Sequence, residues 1–77
     1  MKTVQICLDS IDKVKSFVNA ISGFDAEFDL VSGRYVIDAK SIMGIFSLDL
    51  SKTITLNIHT EDDTTDIMEA VKPFTVE

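Results

Sequence analysis

The sequence contains one cysteine, one histidine and one proline, and it contains no long apolar run. The single thiol, Cys7, cannot form an internal disulfide, and no cysteine and histidine spacing typical of a zinc site exists. No segment approaches the roughly 20 apolar residues that span a bilayer, and residues 1–5 lack the apolar core of a secretory signal. These absences predict a cytoplasmic protein with no metal, no cofactor and no membrane-spanning helix.

Basic residues are also scarce, because 7 lysines and arginines stand against 13 aspartates and glutamates, for a net charge of -6. Such a surface repels phosphate groups, so nucleic acids and anionic membranes are poor candidates for partners. The acidic residues concentrate at 25–29 and at 61–63. A solvated strand face and a helix start account for these two clusters without invoking a binding site.

The remaining composition is typical of a globular domain. Apolar residues make up 45% of the chain and charged residues 26%, which excludes an intrinsically disordered class. With 77 residues the chain is close to the smallest size at which one hydrophobic core is sufficient. We therefore predict a single domain over residues 1–77.

Alternation of apolar and polar residues predicts four strands, each with one buried face. The predicted strands cover residues 3–8, 24–30, 34–38 and 53–59. Ser32 and Gly33 form a plausible two-residue turn between the second and third strands, because glycine is free to adopt a positive φ.

Helical spacing of apolar residues predicts three helices. Asp9 or Ser10 caps the first, and Gly23 ends it in a left-handed conformation. The second covers 40–50, and the third follows the acidic cluster 61–63 and stops at Lys72, because Pro73 disfavours helical geometry there. The stripe of the first helix is Ile11, Val14, Phe17, Val18 and Ile21, and that of the third is Ile67, Ala70 and Val71.

The element order is therefore β-α-β-β-α-β-α. Strands with one solvent-exposed face predict an α+β fold, in which helices cover one side of an antiparallel sheet.

Residues 38–48 read Asp-Ala-Lys-Ser-Ile-Met-Gly-Ile-Phe-Ser-Leu. This segment resembles the regulatory segment of the HPr family, the phosphocarriers of the bacterial phosphoenolpyruvate:sugar phosphotransferase system. In that family a Lys-Ser-Ile-Met-Gly core forms the second helix, and the element order is the same. The resemblance implies an HPr-like open-faced β-sandwich, in which a four-stranded antiparallel sheet is covered on one face by three helices.

The chain departs from the family pattern at the start of the first helix. HPr carriers have a Gly-Leu-His-Ala-Arg-Pro-like segment there, and its histidine accepts the phosphoryl group. Counting back from Ser41 puts Ser10 at the position of that histidine and Asp12 at that of the arginine. A serine ester passes on phosphate far less readily than a phosphohistidine, and Asp9 and Asp12 would repel it. The resemblance therefore does not extend to histidine phosphocarrier activity or to any catalytic residue.

Ser41 is the candidate phosphorylation site. The resemblance implies modification by an ATP-dependent kinase, because HPr proteins of low-GC Gram-positive bacteria carry such a serine at this position. A helix start also favours a phosphate group, and Lys40 adds a cation beside it. The alternative is that Ser41 only caps the helix, and both roles are compatible.

The helix after Ser41 has more apolar residues than one buried face requires. Ile45 and Leu48 share one side, while Ile42, Met43 and Phe46 share another. The second side predicts a partner-binding surface, and residues at these positions contact partners in HPr proteins. The alternative is that Phe46 folds over the edge of the domain as ordinary core.

The sequence is compatible with three functions. The first is a regulatory or protein-binding module, with HPr serine kinase or a transcriptional regulator as partner. The second is a phosphocarrier that uses an unusual acceptor, Ser10 or His59, although a surface role is the simpler explanation for His59. The third is an interaction domain unrelated to sugar uptake.

Overall fold

A computed structural model describes residues 2–61 and 63–76 of the chain. Its elements follow the order β-α-β-β-α-β-α that the hydrophobic periodicity predicts. A short 3-10 helix, Lys72–Phe74, comes after the last α-helix. The elements are β1 (Lys2–Ile6), α1 (Ile11–Ser22), β2 (Glu27–Ser32), β3 (Tyr35–Asp38), α2 (Ile42–Phe46), β4 (Ile54–His59) and α3 (Thr65–Val71).

The four strands form one antiparallel sheet in the order β1-β4-β2-β3. Side chains alternate between the two faces, so Leu30, Leu56 and Ile58 are buried while Thr3 and Asn57 remain at the surface. The helices cover the buried face. The fold is therefore the α+β open-faced sandwich that the sequence predicts, and we call the uncovered side of the sheet the open face.

The core lies between the sheet and the helices and contains no buried polar or charged residue in the described part of the chain. The ring of Phe17 on α1 meets the ring of Phe74 edge to face, with centroids 5.6 Å apart and an interplanar angle of 86°. Full burial of one large apolar side chain contributes about 1.5–3 kcal/mol. The core consists of Ile6, Leu8, Val14, Phe17, Ile21, Phe28, Leu30, Ala39, Ile45, Leu48, Ile54, Leu56, Ile58, Ile67, Val71 and Phe74.

Helix α1 begins at Ile11, and Ser10 rather than Asp9 is its N-cap. Two predictions about this helix were wrong. Ile11 does not belong to the buried stripe, since 61% of it is exposed, because the first helical residue extends past the edge of the core. Gly23 has φ -78° and ψ -7°, so the helix ends with a right-handed cap and not with a left-handed one.

The β2–β3 hairpin differs from the sequence-based prediction at both ends. Strand β2 begins at Glu27 and not at residue 24, because residues 24–26 form bends after α1. The two turn residues are Gly33 and Arg34, since Ser32 already pairs with Tyr35. Gly33 has φ +60° and Arg34 does not have a positive φ, which is the sign pattern of a type II′ turn. Glycine must come first in such a turn, so the predicted Ser32–Gly33 turn is one residue early.

Helix α2 spans five residues and not the predicted 40–50. Local side-chain hydrogen bonds compete with the helix after Phe46. The Ser47 hydroxyl donates to the Gly44 carbonyl at 2.6 Å, and the Asp49 carboxylate accepts from the Ser51 hydroxyl at 2.6 Å and amide at 3.1 Å. Leu48 is nevertheless buried, because its amide bonds to the Ile45 carbonyl in a tight turn.

Helix α3 begins at Thr65 rather than at the acidic cluster. Asp63 accepts bonds from the Thr65 amide at 2.9 Å and hydroxyl at 2.6 Å, and these bonds hold the pKa of Asp63 below its ordinary value. Asp62 lies outside the described residues. The α-helix ends at Val71, but Lys72 keeps right-handed helical angles and starts the 3-10 turn. The prediction that Pro73 excludes helical geometry at Lys72 was therefore wrong, because the chain tightens into a 3-10 turn there. None of the helices in residues 2–61 and 63–76 is long and apolar enough to cross a membrane.

Candidate functional site

Ser41 lies immediately before α2 and is exposed. Its backbone is extended, with φ -90° and ψ 99°, and its Oγ accepts from the Gly44 amide at 3.3 Å. Its carbonyl accepts from the Ile45 amide at 3.0 Å. A Cβ at position 44 would lie 3.2 Å from Ser41 Oγ, so glycine leaves room for the cap. The hydroxyl is therefore both a helix cap and a group that solvent reaches.

The turn before Ser41 is held by Asp38. Its carboxylate accepts from the Lys40 amide at 2.9 Å, and its carbonyl accepts from the Ser41 amide at 3.0 Å. The amide of Ala39 donates to the Phe28 carbonyl at 3.0 Å, and the Ala39 side chain is buried. These bonds join the end of β3 to the start of α2 and so position the hydroxyl of Ser41.

The side chain of Lys40 has a role that the sequence did not reveal. Its Nζ donates to the Phe24 carbonyl at 2.9 Å and lies 5.5 Å from the centroid of the Phe28 ring. The ammonium thus ties the turn before α2 to the segment between α1 and β2. Neither partner is an anion, so the ammonium keeps its charge, and the role of Lys40 as a cation beside a phosphate on Ser41 stays a prediction.

Helix α2 divides its apolar residues between two environments. Ile45 is fully buried and Leu48 nearly so, as their shared side of the predicted helix implies. Met43 is 77% exposed and Phe46 is 38% exposed, whereas Ile42 is partly buried and packs against the core. We refer to Ile42, Met43 and Phe46 as the α2 surface. Met43 is its most exposed member, and Ile42 contributes least to it.

The start of α1 is a capped helix end next to an ion pair. Ser10 Oγ accepts from the Lys13 amide at 3.2 Å, and Lys13 Nζ lies 3.0 Å from Asp9 Oδ1. The hydrogen bond from Lys13 lowers the pKa of Asp9 below its ordinary value, and the same bond raises the pKa of Lys13. Both side chains are about half exposed, so solvent screens the pair. The nearest cation to Ser10 in sequence is therefore already bonded to a carboxylate.

His59 lies at the end of β4, on the open face, and its Nε2 is 2.5 Å from Asp29 Oδ2. Ser10 and Ser41, in contrast, begin helices of the layer that covers the other face. The sheet thus separates His59 from Ser10 and Ser41. The Asp29–His59 contact was missed because the sequence does not reveal which strands are neighbours.

Chemistry that needs several convergent side chains finds no support in the described part of the chain. No group of three or more histidine, cysteine, aspartate or glutamate residues there could hold a metal ion. Cys7 is partly buried, and its amide donates to the Phe74 carbonyl at 2.8 Å. The arrangement at α2 instead suits recognition by a protein, because an exposed hydroxyl and an exposed thioether lie two residues apart.

Comparison with known proteins identifies related chains. A family profile described as PTS HPr component phosphorylation site matches residues 13–75. The crystal structure of HPr-C-His from Thermoanaerobacter tengcongensis is 27% identical, has a TM-score of 0.79, and covers 96% of this chain and 91% of its own. The crystal structure of a phosphocarrier protein HPr from Bacillus anthracis str. Ames is 25% identical, has a TM-score of 0.71, and covers 95% of this chain and 93% of its own. No curated protein sequence matches significantly.

Proposed function

The chain belongs to the HPr family of the phosphotransferase system, a family of phosphocarrier proteins and not of enzymes, and we propose that it is a member that binds proteins through α2 without carrying phosphate on a histidine. Its site of action is the cytoplasm, where HPr proteins work. Ser41 is the proposed site of regulatory phosphorylation. The partners are proteins of the HPr network, with HPr serine kinase or a transcriptional regulator as the specific candidates.

The observation that carries this proposal is the exposure of Met43 two residues after the Ser41 cap. An exposed, flexible thioether adapts to different partner surfaces, and methionine is common on surfaces that bind several partners. A phosphate on Ser41 would add about two negative charges at the border of this apolar surface. Phosphorylation would therefore favour partners that offer arginine and disfavour partners that offer only apolar contacts.

The start of α1 supports the absence of histidine phosphotransfer. The only histidine of the sequence is His59, whose Nε2 already contacts a carboxylate on the open face. Ser10 is flanked by Asp9 and is followed by Asp12, and the cation Lys13 is paired with Asp9. A phosphoryl group approaching Ser10 would meet two carboxylates and no free cation in this segment.

Phosphorylation is tested by incubating the protein with the HPr kinase of its host and ATP, then mapping the modified residue by mass spectrometry. We expect one phosphate on Ser41. The Ser41→Asn variant keeps a good helix cap but has no hydroxyl, so it should remain unmodified while staying folded. Ser47→Ala is the matched control, because it removes an exposed serine at the other end of α2. Phosphate on any other residue, or on none, would contradict this part of the proposal.

Partner binding is tested by measuring affinity for the kinase and for the candidate regulator before and after Met43→Lys. We expect a loss of about tenfold or more, since a charge would enter the apolar contact. Val76→Lys places the same charge on another exposed apolar position and should leave the affinity unchanged. If the unsubstituted chain, Met43→Lys and Val76→Lys bind with equal affinity, the α2 surface does not contact these partners.

The alternative of an unusual phosphocarrier has its own experiment. Incubation with labelled phosphoenolpyruvate and enzyme I should leave the protein unlabelled. If the unsubstituted protein takes up label, and His59→Ala or Ser10→Ala abolishes that uptake, the protein is a phosphocarrier and the proposal is contradicted. Absence of both the label and any binding to HPr partners would indicate an interaction domain unrelated to sugar uptake.

A further inference from the structure

Strand β3 is one edge of the sheet, and its outer side faces no other strand of the described chain. Ser32 and Tyr35 flank the two-residue turn and are paired, as are Leu30 and Ile37. In such a hairpin the residues next to the turn exchange both backbone hydrogen bonds, and the bonding pairs then alternate. The N–H and C=O of Val36, one residue after Tyr35, therefore point away from β2, toward the outer edge.

On the opposite edge of the sheet the end of β1 is protected, whereas no segment of the described chain pairs with β3 from outside. Along β1, the Cys7 amide donates to the Phe74 carbonyl at 2.8 Å, and the Val76 amide donates to the Gln5 carbonyl at 3.0 Å. The end of the described chain thus runs beside β1, with an isolated bridge between Ile6 and Thr75. Such coverage is one of the ways in which natural proteins prevent edge pairing.

The β3 edge also lacks several of the features that discourage pairing. The strand contains no proline and no lysine, and its register with β2 is continuous. Tyr35 is 69% exposed and Val36 is 63% exposed. An edge with outward backbone groups and exposed apolar side chains is a template for another strand.

The charges at the two ends of β3 indicate which strand would pair with it. Residues 34–38 read Arg-Tyr-Val-Ile-Asp, so the positive and negative ends are equally far from Val36. Antiparallel pairing of β3 with itself, centred on Val36, places Arg34, the turn residue just before each strand, next to Asp38 at the end of the other strand. Arg34 forms no ion pair within residues 2–61 and 63–76. Asp38 lies directly opposite Asp29, a like charge, and would gain a cation from the second copy.

We propose that β3 pairs with β3 of a second copy of this chain, in antiparallel register about Val36, to form a symmetric dimer with one continuous eight-stranded sheet. On the open face the two Val36 side chains meet beside Val31, and on the other face Tyr35 covers Ile37 of the second copy. The symmetry is isologous, so the assembly closes at two copies. The inference is independent of the function proposed for α2.

The dimer is weak, because β3 has four residues and each copy carries a net charge of -6. An interface of this size is below the usual range for stable complexes, so we expect a dissociation constant of roughly 0.1–1 mM. An ionic strength of about 0.15 M reduces the overall repulsion between copies while leaving close ion pairs partly effective.

The first test is sedimentation equilibrium of the full chain at concentrations up to about 1 mM, where a dimer should be measurable. Arg34→Asp replaces two attractions by two repulsions and should weaken the dimer about tenfold. The double variant Arg34→Asp with Asp38→Arg reverses both partners and should recover dimerisation. Lys15→Asp, an exposed site on α1, makes the same charge change elsewhere and should not weaken it.

The second test does not depend on Asp38, whose carboxylate also holds the turn before α2. Val36→Pro removes an outward N–H and not a bond to β2, so the variant should fold with an unchanged circular dichroism spectrum but stay monomeric. A monomer at all concentrations in the unsubstituted chain would overturn the proposal. So would a dimer that Arg34→Asp and Val36→Pro leave intact, or larger oligomers that pair β3 with β1.

Discussion

The Nε2 atom of His59 contacts Oδ2 of Asp29 at 2.5 Å across the β2–β4 ladder on the open face. The register pairs His59 with Glu27 and Asp29 with Asn57, so the contact is diagonal. Diagonal neighbours in a sheet are within reach of long side chains, and such pairs contribute a modest free energy. This contact links two central strands that are distant in sequence.

The first prediction concerns the strength of that contact. A double-mutant cycle with Asp29→Ala and His59→Ala should give a stabilising coupling of about 0.2–1 kcal/mol at neutral pH, because both side chains are more than one third exposed. Urea unfolding of the four proteins measures the coupling. A cycle between His59 and Val36, which do not share a ladder, should give a coupling near zero. A repulsive coupling between Asp29 and His59 would contradict the prediction.

The second prediction concerns pH and the Asp9–Lys13 pair. The folded protein lowers the pKa of Asp9, so its contribution to stability is present above the ordinary value of 3.8 and is lost as pH falls through the folded pKa. The folded protein raises the pKa of Lys13, so the contribution of Lys13 to stability is present below its ordinary value of 10.5. That contribution is lost as pH rises through the folded pKa.

Thermal unfolding from neutral pH to strongly acidic pH checks this behaviour. The difference in melting temperature between the unsubstituted chain and Asp9→Asn should shrink as the pH falls below 3.8, and it should also shrink in high salt because the pair is exposed. Asp12→Asn, in the first turn of α1, is the control, because Asp12 forms no ion pair within the described residues. A difference that does not change with pH would show that the ion pair is not formed in solution.

The third prediction concerns the aromatic contact in the core. Phe17→Ala removes a fully buried ring that packs against Phe74, and it should lower the free energy of unfolding by about 3–5 kcal/mol. This loss is a large fraction of the stability of a chain of this size. Phe46→Ala should cost clearly less, because 38% of that residue is exposed. Equal losses at both positions would mean that Phe46 is core, and denaturant unfolding decides between these outcomes.

The fourth prediction separates the cap function of Ser41 from its modification. Ser41→Ala leaves the Gly44 amide without its side-chain acceptor and should cost about 0.5–2 kcal/mol in the absence of any kinase. Ser41→Asn should recover most of this loss, because asparagine is an equally good cap. The two variants are compared by urea unfolding. A neutral effect of Ser41→Ala would indicate that the hydroxyl has no structural role.

The fifth prediction compares two glycines. Gly33 has φ +60°, so Gly33→Ala should destabilise the hairpin by about 1–2 kcal/mol. Gly23 has φ -78°, and a Cβ there would meet nothing within 4 Å, so Gly23→Ala should be neutral or stabilise the protein by about 0.4–1 kcal/mol. Thermal unfolding of both variants gives the comparison. Destabilisation by Gly23→Ala would restore the left-handed cap that the sequence suggests.

The sequence alone determined the type and order of the secondary-structure elements, and it determined the serine caps at the starts of α1 and α2. The two-residue period of the strands and the stripes of α1 and α3 are properties of single segments, and so is the Ser41 cap. The boundaries were less predictable, because Ser47 and Asp49 shorten α2 through side-chain bonds that compete with helical ones. The apolar periodicity of the segment does not reveal those bonds.

Only the tertiary structure decided which segments meet. The strand order β1-β4-β2-β3 brings Asp29 to His59, covers the β1 edge with residues 74–76 and leaves β3 open. The same packing turns Lys40 toward the Phe24 carbonyl. Periodicity describes how one segment divides its own residues between core and solvent, whereas strand neighbours depend on long-range pairing that leaves no mark on either strand by itself.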